Sequence, residues 1–192
     1  MERIVNAIPK ACYYQIRNIG HIRRYITLDA CKTLAHGLIT SRLDYGNALL
    51  YGLPITLMTR LQKVQNSFAR LVTRTHKIEH ITPVWNSLHW LQVIYRSQYK
   101  ILMYTFNALQ GTTPQYLEEL VVLYQPTRSL WSESAAFLAV PTTRRVTYGN
   151  RYFRKAAATL WSNLPVTTRK CKTPDTFKKK IKTNLFVSAF PS

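Results

Sequence analysis

The chemistry this sequence can offer lies in three groups of basic side chains. Lys63, Arg70 and Arg74 fall on one strip of a segment with helical spacing. Arg144, Arg145, Arg151 and Arg154 surround a short piece without helical period and the start of the segment after it. Lys178, Lys179, Lys180 and Lys182 take one side of the last segment. Guanidinium and ammonium groups meet phosphates, and the energy of that contact comes largely from released counterions. For any single patch, a solvated charged face is the plainer reading. The shortage of acid favours more: 27 Lys and Arg stand against 8 Asp and Glu, a formal charge of +19. A field of that sign attracts polyanions, nucleic acid first and anionic membrane second. Trp85, Trp90, Trp131 and Tyr148 could stack on bases or sugars. Most are expected in the core, and Trp131, with polar neighbours, is the expected exception.

Catalysis finds less material. A two-metal polymerase or nuclease centre needs carboxylates converging on ions about 4 Å apart. Asp29, Asp44 and Asp175 are far apart in sequence and fall on separate expected helices. Asp44-Tyr45 lacks a second adjacent aspartate, so a salt bridge with Arg42 or Arg74, or a capping role, is the better expectation for Asp44. His76 and His80 would share a face if helical, but no Cys or carboxylate cluster completes a metal site. His89, beside Trp90, reads as a packed helix-end residue. Nothing points to a Cys–His nucleophile. The 6 glycines are scattered singly, so there is no phosphate-cradling loop. No catalytic residue, metal or cofactor is expected.

The elements that must position the basic groups are helices. The first segment has Pro9 as a first-turn residue, followed by Cys12, Ile16 and Ile19 at helical spacing, with Arg17, Arg23 and Arg24 nearby. Thr27 caps the next helix, whose apolar face is Cys31, Leu34, Ala35 and Leu38. Gly46 allows a bend before Ala48–Tyr51. Gly52 and Pro54 then end the preceding structure, and Thr56 is placed to cap the central helix. There Leu57, Leu61, Val64, Phe68 and Leu71 form one stripe, while Arg60, Lys63, Arg70 and Arg74 lie off it. Thr82 and Pro83 open a helix with Val84, Leu88 and Leu91 on one side. From Val93 to Leu109 apolar residues surround most of the circumference, the pattern of a buried helix, which Gly111 stops. Thr113 and Pro114 start another.

Near Pro126 the character changes. AAFLAVP and RRVTYGN read as two extended pieces around a Pro-Thr-Thr turn. Asn150 is the expected cap of a helix with Phe153, Ala157, Leu160, Trp161 and Leu164 inward, closed by Pro165. Thr173 and Pro174 start the last helix, with Phe177, Ile181 and Leu185 on one face. Residues 127–192 hold 13 of the bases and 2 of the acids, so the basic bias is steepest there.

At 192 residues and 46% hydrophobic, the chain fits one domain, or one with a smaller appendage, and can fill a core. Cys12, Cys31 and Cys171 are odd in number and lack metal-site spacing, as expected for reduced, mostly buried thiols of an intracellular protein. There is no apolar signal core at the N-terminus, and no apolar run approaches 18 residues, so no membrane span is expected.

The order of phrases SRLDYGNALLYGLP, LQKVQNSFARLVTRT, HITPVWNSLHWLQV, YGNRYFRKAAATLWSNLP and FKKKIKTNLF resembles the region after the polymerase core in LINE-type non-LTR retrotransposon reverse transcriptases of the chicken-repeat and jockey sort. The resemblance covers about residues 10–187. It departs from the family pattern at Pro9, where relatives have an unbroken helix, and at Trp85 and Trp131. It implies a parent RNA-directed DNA polymerase whose palm, fingers and endonuclease are absent here, so its catalytic residues have no counterpart in this chain. The expectation is a mainly α protein: a thumb-like helical bundle over 1–126, then a basic segment over 127–192 with a short extended or hairpin piece and two helices. Its expected task is a backbone grip on RNA, DNA or an RNA–DNA hybrid beside the missing polymerase core, without catalysis of its own. Two alternatives stand beside it. One is a translated relic, since the chain begins where the catalytic core of such an enzyme would end. The other is a domesticated protein-interaction module.

Overall fold

The computed structural model describes residues 2–125, 136–142 and 152–190. The protein is mainly α, and among the described residues β-pairing is confined to one antiparallel bridge, Leu123 with Leu138. The chain forms two compact units, Met1–Arg96 and Ser97–Ser192. The division falls inside a helix and not near 126, where the composition changes. Leu102 and Phe106, before the change in composition, share their apolar packing with the C-terminal helices.

In the first unit, α1 spans Glu2–Ile22 and α2 spans Leu28–Ala35. Pro9 is interior to α1, not in its first turn. Proline has no N–H to give the carbonyl four residues back, which in a helix interior costs about 3 kcal/mol. The helix continues because Val5, before the proline, and Cys12 and Ile19, after it, are all buried in one core. Thr27 caps α2 as expected, its Oγ1 accepting from the Ala30 N–H at 3.2 Å. The face beyond it is displaced. Leu34 and Leu38 are exposed, and the buried series is Cys31, Ala35, Ile39 and Leu43. Leu34 is already turned outward within α2, and the exchange of Leu38 for Ile39 falls inside a π-helical turn at His36–Thr40, whose extra residue changes which position faces inward. A short α3, Ser41–Asp44, follows it. Gly46 takes φ 63° and leads into a 3-10 turn at Asn47–Leu50.

The central helix, α4, spans Ile55–Thr73. Its N-cap is Pro54, and no side chain caps it. Thr56 is already helical, so it does not cap. The Pro54 carbonyl itself accepts from the Leu57 and Met58 N–H groups at 3.0 and 3.2 Å. Leu61, Val64 and Phe68 are buried, Leu57 and Leu71 pack partly against them, and Met58, Gln65, Ala69 and Val72 widen the stripe. Emptying the Phe68 position would cost about 3–5 kcal/mol. A loop joins α4 to α5, Thr82–Leu88, whose N-cap is Ile81, so Thr82 is the first helical residue and not the cap. Val93–Leu109 is α6. Its first free N–H, at Val93, donates to Gln62 Oε1 at 3.0 Å, and Gln65 Nε2 donates to the Leu91 carbonyl at 2.9 Å. Two glutamines of α4 thus hold the chain entering α6. Trp90 stacks on Phe68 with ring centroids 4.8 Å apart. Trp85 is buried.

The second unit packs Leu102 and Phe106 against Trp161, Leu164, Phe177 and Ile181. Short α7, Gln115–Glu118, follows the turn at Gly111, whose φ is 65°. Then come α8, Phe153–Ser162, short α9, Val166–Arg169, and α10, Pro174–Ala189. The Phe106 and Phe177 rings stack at 4.2 Å, with Trp161 tilted onto Phe177 at 5.6 Å. Trp161 Nε1 donates to the Ala136 carbonyl at 2.9 Å, which satisfies its one polar atom. The described part of AAFLAVP forms no strand: it makes one isolated bridge back onto 122–124, and its Ala136 takes φ 50°, outside the extended region. RRVTYGN, and with it the expected cap Asn150, lies outside the described residues. The described N-cap of α8 is Tyr152.

Candidate nucleic-acid interface

The C-terminal ends of α1 and α4 lie side by side, and each leaves backbone carbonyls without helical partners. Arginines answer them. Arg23 Nε donates to the Leu71 carbonyl at 3.2 Å and Nη2 to that of Val72 at 2.8 Å, while Nη1 reaches Ile26 at 3.1 Å. Arg74 ends α4 in the left-handed region, φ 59°, and its Nη2 donates back to the Arg23 carbonyl at 3.0 Å. Arg70 ties down the loop after α4, donating to the carbonyls of His76, Lys77 and Glu79 at 3.2, 3.3 and 2.6 Å. Cations here also suit the negative end of the helix dipole.

These bonds build a cavity of about 640 Å³. Ile16 and Leu71 are among its apolar lining residues, and Arg23, Arg24, Arg70, Arg74, His76 and Lys77 give it six basic ones, with no acid. Glu79, the acid nearest in sequence, is turned to the loop, where it accepts the His76 N–H at 3.0 Å. The donors are not equally available. The Arg23 and Arg70 guanidinium groups are committed to carbonyls, so they supply charge, whereas Arg24 and Lys77 are exposed and can reach a ligand.

Of the residues expected to bind, Arg70 and Arg74 line this cavity, and Lys63 is exposed on α4 outside the lining. Arg144, Arg145 and Arg151 lie outside the described residues, as do Trp131 and Tyr148. Arg154 is half-buried in the first turn of α8, with Nε buried and unpartnered. Lys178, Lys179 and Lys182 are exposed on α10, with Lys178 3.3 Å from Asp175. Lys180 is drawn to the Thr167 carbonyl at 2.9 Å. Sequence reasoning noted Arg23 and Arg24 but did not assign them to the site. The carbonyls that Arg23 meets lie 48 and 49 positions away, and only the basic doublet near a helix end signals the pair.

The aspartates each have a cation. Asp44 pairs with Arg96 through both carboxylate oxygens, the Nε bond being 2.8 Å, and not with Arg42 or Arg74. Asp29 faces Lys32 at 3.7 Å. His76 and His80 lie in the loop between α4 and α5, so the helical spacing that would align them does not hold. Among the described residues no group of three or more His, Cys, Asp or Glu is placed to hold a metal. No described helix is long and apolar enough to cross a membrane. Burial raises the pKa of the Cys12 and Cys31 thiols, which keeps both un-ionised. Comparison with protein-family models, curated proteins and solved structures finds no match to this chain.

Proposed function

We propose that the chain grips nucleic acid through its backbone and is not itself catalytic. The observation that supports this best is the acid-free cavity at the ends of α1 and α4, where a built network of arginines leaves Arg24 and Lys77 exposed beside it. The resemblance to LINE-type reverse transcriptases supplies the setting. The helices would be the thumb and following segment of an RNA-directed DNA polymerase inside the cell, closing on template and primer beside a separate polymerase core. Charge directed at phosphates carries no sequence information, so the grip should be indifferent to sequence.

The test is binding of the full chain to an RNA–DNA hybrid at several salt concentrations, beside an inert protein of matched charge. Stoichiometric binding, tighter than the control and preferring hybrid to plain DNA duplex, is expected. Binding equal to the control would refute the proposal. A second reading, a protein-interaction module, draws on the exposure of Tyr45, Leu49 and Ile55 within one short stretch, at 86%, 65% and 71%. Protein partners that survive nuclease treatment of a pull-down would favour it.

A further inference from the structure

A second cavity, of about 570 Å³, adjoins the first and shares Arg23 and Arg74 with it. Its chemistry differs. Ile26, Leu28 and Leu88 give it an apolar floor over buried Val72, and Lys32 joins the two arginines among its lining residues. A bare phosphate gains nothing from such a floor. A flat, weakly polar ring attached to a phosphate gains from both parts.

Tyr25 stands between the two cavities in the chain, after Arg24 of the first and before Ile26 of the second. Tyr25 is 73% exposed, and the Arg24 guanidinium lies over its ring at 4.7 Å. An exposed aromatic backed by a guanidinium is a stacking platform of the kind single strands use. A duplex cannot use it, because its bases are paired and stacked inward. An unpaired strand can turn one base onto the apolar floor and stack the next on Tyr25.

We propose that this face of the first unit is a single-strand site. It places a base over Ile26, Leu28 and Leu88, a neighbouring base on Tyr25, and the linking phosphates against Arg24 and Lys77. The inference rests on the nucleic-acid reading above and adds that the same face also takes an unpaired strand.

The test compares the full chain and its Tyr25→Ala and Tyr25→Phe variants in fluorescence anisotropy. The probes are a labelled oligothymidylate and a DNA duplex of equal length, at one salt concentration. The expected result is tighter binding of the single strand by wild type. Tyr25→Ala should lose about fivefold or more on that strand, the scale of one lost stack, with little change on duplex. Tyr25→Phe keeps the ring and should keep the affinity. Equal losses on both probes, or none, would overturn the single-strand site and leave the backbone grip standing. Failure of the wild type to bind the single strand above the matched-charge control would overturn the single-strand site, and failure on an RNA–DNA hybrid as well would overturn both.

Discussion

Met1–Arg96 holds nine arginines and four lysines, and Ser97–Ser192 holds six and eight, each unit with four acids. Their charge is nearly equal, but its use is not. In the first unit, Arg23, Arg70 and Arg74 are bonded to helix-end and loop carbonyls, and the charge they bring together is structural first and electrostatic second. In the second, Lys179 and Lys182 of α10 stand in solvent, and Arg169 is 7% exposed, with Nε and Nη1 unpartnered and its guanidinium 4.1 Å from the Phe137 ring centre. Arginine has a planar fork that can serve several carbonyls at once, and lysine does not. A count of basic residues therefore says little about how many donors are left for a phosphate.

The comparison assumes that both units are packed, and the largest effects test that. Phe68→Ala in the first and Phe177→Ala in the second should each cost about 3–5 kcal/mol in urea unfolding. A shallow, non-cooperative transition in the wild type would instead point to a relic without a fixed core. Next comes the arginine network. Arg23→Lys keeps the charge and loses the fork, so it should cost about 1–2 kcal/mol. Lys179→Gln with Lys182→Gln should stay within about 0.5 kcal/mol. If the two changes cost the same, the contrast between structural and solvated charge fails.

Arg169 sharpens it from the other side. Burial lowers its pKa, the mark of a cation short of solvation. Arg169→Met keeps an unbranched side chain beside Phe137 and removes a buried guanidinium with two unpartnered nitrogens, so stability should hold or rise by about 1 kcal/mol. A loss beyond that would mean an acceptor holds the guanidinium. The smallest effect is chemical. Cys171 is half-exposed and should be alkylated in the native protein, while buried Cys12 and Cys31 should react only on unfolding. Mass spectrometry of the labelled protein reads all three thiols at once.

Much of the helical frame was legible because it depends on local rules. The α4 stripe, the Thr27 cap, the turns at Gly46 and Gly111 and the Phe177–Ile181–Leu185 face follow from periodicity and cap chemistry alone. The misplaced features depend on distant packing. The π turn that replaces Leu38 with Ile39 leaves no mark in a period-based reading. Pro9 reads as a helix start until the burial of Val5 before it is known. In the candidate site, Arg70 and Arg74 were legible as a basic strip. Arg23 joins them only through carbonyls 48 and 49 residues away, a contact that no spacing rule encodes.

The most direct test of the central claim is the salt dependence of hybrid binding by the full chain and by Arg24→Gln/Lys77→Gln. Each phosphate contact contributes about −0.9 to the slope of log affinity against log salt on B-DNA. If the first unit's cavity grips the backbone, the double variant should weaken binding and flatten the slope by about 2, while the α10 lysine pair, changed to Gln, should alter affinity less. An unchanged slope in the Arg24/Lys77 variant would contradict the claim and leave the +19 as charge without a site.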